Sequence, residues 1–541
     1  MKVAEKQICA LAEAVRAAYR AGEEDETLEP LILVDREGKP VGRIADGDYV
    51  IFYDLRGERE IELTRSFTEA GFAEFPTQPG LQVHFVTMID YDERLNVRVA
   101  FPSLSHLPAT LSEAISNHGW RQVKIAESEK AVHVTYFLNG KRWEPFPGEE
   151  WIVIPSPRKV AQFDQKPEMS AAEVAEAVRE KIEAGEHELM VANFANVDVV
   201  GHVENEAAIR RAVETVDTCL GRALEAAQKA GVTAIVTADH GTVEKWLYPE
   251  GAIDTGHTAS PVPFIFLDPR GRRAVSLRKG GTLTDVAPTI LEVLGLPQPE
   301  VMTGRSLVQN YQPLPGRRRL LLLIADGWGW REEVEGNLIA QASTPVMDRL
   351  QTEYPATRLQ AAGEAVGLPP GAVGNSEVGH LHLGAGRVIP SDRVRIDQAI
   401  ADGSFFANEA FLWAMREAKR EGKRLHLLGI LSFYSSHGSV KHLLALLQLA
   451  RREGVPEVYL HALLGRRGER PESGALYLEE VQREADRLGG GKIVTVIGRY
   501  WALDREENWD RVEKTYRALV WGEGRPVISS YPVPAHPASC S

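Results

Sequence analysis

Short runs rich in Val, Ile and Leu alternate with helical stretches along nearly the whole chain. That alternation is the mark of parallel sheets covered by helices on both faces, so the expected fold class is α/β. One repeat is clear from Ser170 to Gly185. Ser170 and Glu173 have the spacing of a capping box, Gly185 stands where a helix would stop, and the strand ELMVANF follows at once. The ends of the apolar runs carry the more useful signal. LLLLIAD ends on Asp326, TAIVTADH on Asp239 and His240, MVANFANVD leads into Asp198, and VTVIGR ends on Arg499. In open α/β sheets ligands bind just beyond the carboxyl ends of the strands, so polar residues at several such ends mark a site.

The chain has 541 residues, too many for one ordinary core, and two large units are expected. Gln309 to Arg319, QNYQPLPGRRR, reads as an exposed linker between a helical stretch ending near Leu307 and the strand before Asp326. The segment 525–541 has four prolines and no periodicity, and is expected to be an irregular tail. Hydrophobic residues make up 44% and charged residues 26%, but no segment approaches the roughly 18 to 20 apolar residues of a membrane helix. The first residues lack the apolar block of a secretory signal, so a cytoplasmic protein is expected. Cys9, Cys219 and Cys540 have unrelated spacings and suit neither a disulfide framework nor a thiolate site, which leaves oxygen and nitrogen ligands for any metal. A formal charge of −14 argues against nucleic acid as a partner, and an anionic substrate would need a local arginine cluster of its own.

Asp198 and His202 lie four apart in NVDVVGH, which brings both to one face if a helical turn begins there. Asp239 and His240 are adjacent in TADHG, His257 lies in the loop GHTASPVPF, and Asp326 closes the strand of IADGWG. Ser376 sits in GNSEVGH, a turn context that would expose its hydroxyl. Singly, each has an ordinary explanation as a cap, a turn residue or a satisfied core histidine. Together, three aspartates, three histidines and a serine match a dinuclear oxygen and nitrogen site suited to manganese, zinc or magnesium.

DGWGWREEVEGN, GNSEVGHLHLGAGR, NFANVDVVGH, TADHG and HTASPVPF together resemble the cofactor-independent (2,3-bisphosphoglycerate-independent) phosphoglycerate mutase family of the alkaline phosphatase superfamily. The resemblance implies one manganese on Asp198, His202 and His257 and another on Asp239, His240, Asp326 and Ser376, with no 2,3-bisphosphoglycerate required. It also implies a permuted segment order, because residues 1 to about 310 resemble the second part of the family's chain and residues from about 317 to 524 its first part. The expected domains are a metal-binding phosphatase domain, 105–389, and a transferase domain assembled from 1–104 and 390–524. A monomer is expected, with a small phosphoglycerate as its substrate.

A phosphoglycerate needs cations of fork geometry for its phosphate and carboxylate. By resemblance Arg56, Arg59, Lys130, His437, Arg467, Arg499 and Arg505 take substrate-binding positions, with Lys130 also assisting at the phosphate. The chain departs from the family in two loops. SFYSSHGS keeps His437 but has Phe433, Tyr434 and Ser435 in place of acidic and glycine residues, and GRRG keeps Arg467 but has Gly465 and Gly468 where the family has aspartates. The implied activity is interconversion of 3- and 2-phosphoglycerate through a phosphoserine on Ser376. The rivals are a metal-dependent phosphatase of the same superfamily and a non-catalytic binding protein. The full set of costly buried charges argues against the last.

Overall fold

The computed structural model describes residues 9–104, 106–157, 162–248, 251–272, 275–432, 437–465 and 472–528. It divides into two compact units, one of Met1–Ser103 with Arg395–Ser541 and one of Leu104–Val394. Each unit has its own apolar core.

The Leu104–Val394 unit is built on an eight-stranded sheet whose middle is the strand Leu320–Ala325, buried along its whole length. A strand without one polar position can only lie between two covered faces, and it pairs in parallel with Leu189–Phe194 on one side and Thr233–Thr237 on the other. Outward from there stand Gln122–Glu127 and Glu149–Ile154 on one flank, and Val262–Leu267, Ala356–Gln360 and Gly281–Thr282 on the other. Val262–Leu267 runs antiparallel to both its neighbours, so the sheet is mixed and not wholly parallel as its sequence pattern suggested. An apolar run shows that a strand is buried but not which way it runs.

The other unit has an eight-stranded sheet in the order Arg525–Ile528, Leu31–Val34, Lys492–Gly498, Val458–Leu464, Leu425–Ile430, Tyr49–Phe52, His84–Ile89, Arg98–Phe101. Leu31–Val34 is antiparallel to Lys492–Gly498, and the other pairings are parallel. The irregular tail expected from residue 525 begins with a strand, because Arg525–Ile528 finds an open edge beside Leu31–Val34.

Three local expectations also change. The helix Ala171–Ala184 ends at Gly185 with φ of 69°, as its sequence signalled, but Ser170 forms no capping box. Its hydroxyl donates to the Pro155 carbonyl at 2.9 Å instead. The helix before the linker is Val286–Leu294, which stops at Gly295 and not near Leu307. The linker is also fastened, since Tyr311 is buried, Arg318 donates to the Leu294 carbonyl at 2.9 Å and Arg319 to the Ile182 carbonyl at 2.8 Å. Among the described residues no helix is long and apolar enough to cross a membrane.

A buried polar chain crosses the sheet of the Met1–Ser103 and Arg395–Ser541 unit. Asp48 Oδ2 lies 3.1 Å from His426 Nε2, His426 Nδ1 lies 2.9 Å from His461 Nε2, and His461 Nδ1 lies 3.1 Å from the Thr495 hydroxyl. An ionised Asp48 can only accept, which fixes the direction: Thr495 donates to His461, His461 to His426 and His426 to Asp48. Burial pushes both rings below the ordinary histidine range. Asp48, against its own burial, is held at about 2 by His426 and Arg424. All three groups bind protons less readily folded than unfolded, so stability rises with pH and is lost on acidification, first below about 6.5 where the unfolded histidines protonate. Each excluded proton costs about 1.4 kcal/mol per pH unit in that range. Urea unfolding at pH 7.5 and pH 5 therefore shows a smaller acid loss for His461→Gln than for the parent. Equal losses would show that the chain takes no part in acid sensitivity.

Candidate metal centre and anion cluster

The parallel pairing of Leu320–Ala325 with its two neighbours delivers three carboxylates to one edge. Asp326 follows the central strand directly, Asp239 follows Thr233–Thr237, and Asp198 lies in the short helix Asn196–Gly201 after Leu189–Phe194. Backbone bonds lock them together, with Asp198 N donating to the Asp326 carbonyl at 3.2 Å and Gly327 N to Asp239 Oδ1 at 3.1 Å. Gly327 has φ of 79°, and a Cβ there would sit 2.8 Å from Asp198 Cα, so only glycine allows this approach.

Ser376 is not on an exposed turn. It is the first residue of the helix Ser376–Ala385, it is buried, and Asn375 caps the helix by accepting from Val378 N at 2.9 Å. The Asn375 cap and the helix N-terminus aim the serine at the carboxylates, in a field that favours negative charge. Ser376 Oγ lies 2.6 Å from Lys130 Nζ, 3.0 Å from His240 Nε2 and 3.4 Å from Asp326 Oδ1.

The imidazoles are oriented by the backbone. His202 Nδ1 lies 2.8 Å from the Thr255 carbonyl, His257 Nδ1 3.0 Å from that of Gly374, and His240 Nδ1 3.1 Å from that of Gly241. A carbonyl can only accept, so all three rings carry a proton on Nδ1, and each ring in its neutral form presents a bare Nε2. Those lone pairs converge: His202 Nε2 and His257 Nε2 are 3.2 Å apart, and they lie 3.4 Å and 3.1 Å from Asp198 Oδ1. Two lone pairs facing each other beside a carboxylate repel unless a cation lies among them, and a ring tied by Nδ1 to a carbonyl is the usual support of a metal ligand. The donor set therefore fits divalent metal. Among the described residues Asp239 Oδ2, fully buried, accepts no hydrogen bond, as suits a carboxylate oxygen that serves a cation.

Among the described residues two groups have donor atoms within 4.8 Å of one another, Asp198 with His240 and His257, and Asp239 with Asp326 and His380. All seven expected metal residues lie in this constellation, and His380 joins it without having been picked out in the sequence. His380 Nδ1 lies 2.8 Å from the Ser376 carbonyl and its Nε2 3.0 Å from the Asn193 amide, which also donates to Asp326 Oδ2 at 2.7 Å. Both its nitrogens are thus engaged, so His380 and Asn193 position Asp326 and Ser376. Its place four residues after Ser376 in GNSEVGHLH was the available signal.

Lys130, buried, closes the charge balance with its ammonium 2.7 Å from Asp198 and 2.6 Å from Asp326. Burial alone would raise Asp198, but the Lys130 charge holds it well below the ordinary range. Burial and the neighbouring Asp239 push Asp326 up. Beside this group opens a cavity of about 520 Å³ lined by Lys130, His133, Asp198, His202, His257 and Ser376 among others.

In the other unit the expected anion-binding residues gather as well. Arg56 and Arg59 open the helix Gly57–Thr68, Arg499 opens Arg499–Ala502, and Arg505 follows. Burial and then the charges of Arg505, Arg499 and Arg56 all lower Arg59, so four guanidiniums crowd one region. Among the described residues Arg56 and Arg505 share Glu58, and Arg499 pairs with Glu26. His437, buried, is pushed down to about 4 by burial and by Arg56, Arg499 and Arg59. Arg467 lies outside the described residues, as do Phe433, Tyr434, Ser435 and Gly468. Gly465 is described, with φ of 101°, and a Cβ there would lie 2.5 Å from Glu26 Cα, so this backbone has no room for an aspartate.

Core packing alone does not gather three carboxylates under three bare imidazole nitrogens, and the class this unit defines is an α/β metalloenzyme. The chain belongs to the Metalloenzyme superfamily, whose model matches residues 12–298. A second model, the BPG-independent PGAM N-terminus, matches residues 396–534. The chain is 47% identical over 302 residues to a protein of Thermomicrobium roseum named 2,3-bisphosphoglycerate-independent phosphoglycerate mutase, covering 55% of this chain and 57% of the relative. It is 46% identical over 297 residues to one of that name from Moorella thermoacetica, covering 55% and 56%. The chain thus spans little more than half the length of the curated relatives it matches. A crystal structure of Leishmania mexicana phosphoglycerate mutase at low cobalt concentration aligns with a TM-score of 0.37 and 30% identity over 51% of this chain and 53% of that one.

Removing the ammonium tests the charge balance. In metal-free protein Lys130→Met leaves buried carboxylates without their cation and lowers stability by about 3 to 5 kcal/mol, while saturating divalent metal restores most of the loss. Denaturant unfolding with and without metal measures it. A loss of the same size in both states would show that Lys130 and metal do not answer the same charge.

Proposed function

We propose that this chain interconverts 3-phosphoglycerate and 2-phosphoglycerate through a phosphoserine at Ser376. The observation that carries the reading is the placement of Ser376 Oγ at a helix N-terminus, within 3.0 Å of both Lys130 Nζ and His240 Nε2. The names of the matching relatives support the substrate and the independence from 2,3-bisphosphoglycerate. Asp198, His202 and His257 would hold one divalent ion, and Asp239, His240, Asp326 and Ser376 the other, with manganese our choice. Such ions lower the pKa of a coordinated hydroxyl and neutralise charge on phosphoryl oxygens.

The chain's own groups supply the rest. In the neutral ring the carbonyl-bound Nδ1 of His240 carries the proton, so the Nε2 lone pair faces the serine hydroxyl. The Lys130 ammonium donates to Ser376 Oγ, which stabilises that oxygen as it becomes a nucleophile, and offers charge to the phosphoryl group. Glycerate is held through its carboxylate and hydroxyls by Arg56, Arg59, Arg499, Arg505 and His437, with Arg467. We further infer that the chain is a circular permutation, a reading supported by the match of a model named for an N-terminus to residues 396–534, after the Metalloenzyme match. In domain terms, 105–389 is the phosphatase part, while 1–104 with 390–524 is the transferase part. We take the protein to act as a monomer in cytoplasmic glycolysis.

A second reading, a metal-dependent phosphatase, is favoured by the backbone at Gly465, where an aspartate cannot fit. The two differ in whether glycerate or water receives the phosphoryl group.

Ser376→Ala lowers isomerisation and phosphate release by at least about a thousandfold, while metal content stays near two ions per chain, read by elemental analysis. Turnover within tenfold of the parent would sink the serine assignment. Incubating the parent with 3-phosphoglycerate and manganese gives 2-phosphoglycerate together with some free phosphate, and Gly468→Asp shifts the ratio towards isomerisation by about tenfold or more. An unchanged ratio would mean that another group retains glycerate.

A further inference from the structure

Beneath the arginine cluster lie two carboxyls that the reaction scheme leaves unused. Asp54 follows the strand Tyr49–Phe52 and Glu60 lies in the first turns of Gly57–Thr68, and both are fully buried. Asp54 Oδ1 accepts from Ile430 N at 2.8 Å, and among the described residues its Oδ2 meets no hydrogen-bonding donor. Gly429 and Gly438 make the space, since a Cβ on either would lie 2.6 Å or 2.9 Å from Asp54 Oδ1. Glu60 Oε2 accepts from Arg59 N at 3.2 Å, and its Oε1 lies 3.3 Å from His437 Nδ1. Among the described residues the other titratable groups facing the pair are Arg56, Arg59, Tyr53 and Tyr91, whose hydroxyl donates to the Asp54 carbonyl at 2.8 Å.

Two fully buried carboxyls of which one feels the other's charge cannot both ionise cheaply. Burial pushes both above the ordinary range, Glu60 to about 8, and the Glu60 charge raises Asp54 further. The forces opposing this rise are backbone donors and the charges of Arg56 and Arg59. An anion settling on those guanidiniums cancels the field that favours ionised Glu60. Any proton missing from the pair is then taken up from the buffer.

We infer that the arginine cluster binds its anion together with a proton, which is stored on the Asp54 and Glu60 carboxyl pair beside His437. The inference rests on the proposed function for the choice of a phosphoglycerate as that anion. It makes Glu60 and Asp54 positioning residues whose protonation governs affinity, through the electrostatics of Arg56, Arg59 and His437. Linkage gives the sign: above the pair's titration each anion brings a proton in, so the dissociation constant climbs with pH, by up to about tenfold per unit. Between pH 8 and 9.5 this slope is separable, because His437 titrates near 4 and phosphate monoesters near 6.

The test is calorimetric titration of 3-phosphoglycerate into metal-loaded Ser376→Ala protein, where turnover is blocked. It is run at pH 8 to 9.5 in buffers of different ionisation enthalpy. Uptake of about half a proton or more per ligand, falling towards zero when Glu60→Gln or Asp54→Asn is added, supports the inference. Binding without uptake, or with uptake unchanged in both variants, overturns it while leaving the proposed function standing. Absence of any 3-phosphoglycerate binding overturns both. Carbon-13 spectra of carboxyl-labelled Ser376→Ala protein decide the matter without altering the pair. They should show a carboxyl titrating near pH 8 whose midpoint rises on ligand addition, and an unmoved midpoint refutes the linkage.

Discussion

Negative charge brought out of water at one sheet edge is the constraint around which the metalloenzyme unit is arranged. Asp198, Asp239 and Asp326 lie on three adjacent parallel strands or just beyond them, and nothing but cations can make that tolerable. Lys130 supplies one charge, and the bare Nε2 atoms of His202, His240 and His257 leave room for more. The all-apolar central strand, the glycine at 327 and the buried helix start at Ser376 make sense together as the scaffold that holds those carboxylates still. Their convergence depends on register, since a one-residue slip of Leu320–Ala325 would carry Asp326 away from its partners.

The second unit solves the opposite problem. Arg56, Arg59, Arg499 and Arg505 repel one another, and among the described residues their exposed acidic partners are Glu58 and Glu26. Such a surplus favours an anionic ligand over water. Burying Asp54 and Glu60 beneath the cluster adds negative charge that can be switched off by a proton, so the attraction is adjustable.

Much of the candidate metal centre was legible in the sequence because its donor residues follow strands or sit in short motifs. Asp326 after LLLLIA and Asp239 after TAIVT needed only the rule that chemistry gathers at strand ends. His380 was missed because its role comes from the helix turn that stacks it over Ser376, a contact that GNSEVGHLH permits but does not announce. Glu60 was missed for a related reason. On a helix rich in charged residues it looks like one more solvated acid, and only packing against Asp54 and His437 reveals that it is buried. Strand direction was likewise hidden, since the apolar run of Val262–Leu267 is the same in either orientation. The Ser170 capping box failed to form because the Pro155 carbonyl competes for the hydroxyl.

The divided sheet of the Met1–Ser103 and Arg395–Ser541 unit bears on how the chain is made. Leu31 pairs with Val496 and Tyr49 with Leu425, so early strands wait for partners translated hundreds of residues later. The intervening Leu104–Val394 unit is contiguous and can fold on the ribosome, while Leu31–Val34 and Tyr49–Phe52 keep unsatisfied edges throughout that interval. A nascent chain of this order therefore carries adhesive β-edges for as long as the Leu104–Val394 unit is being made, an interval in which aggregation competes with folding.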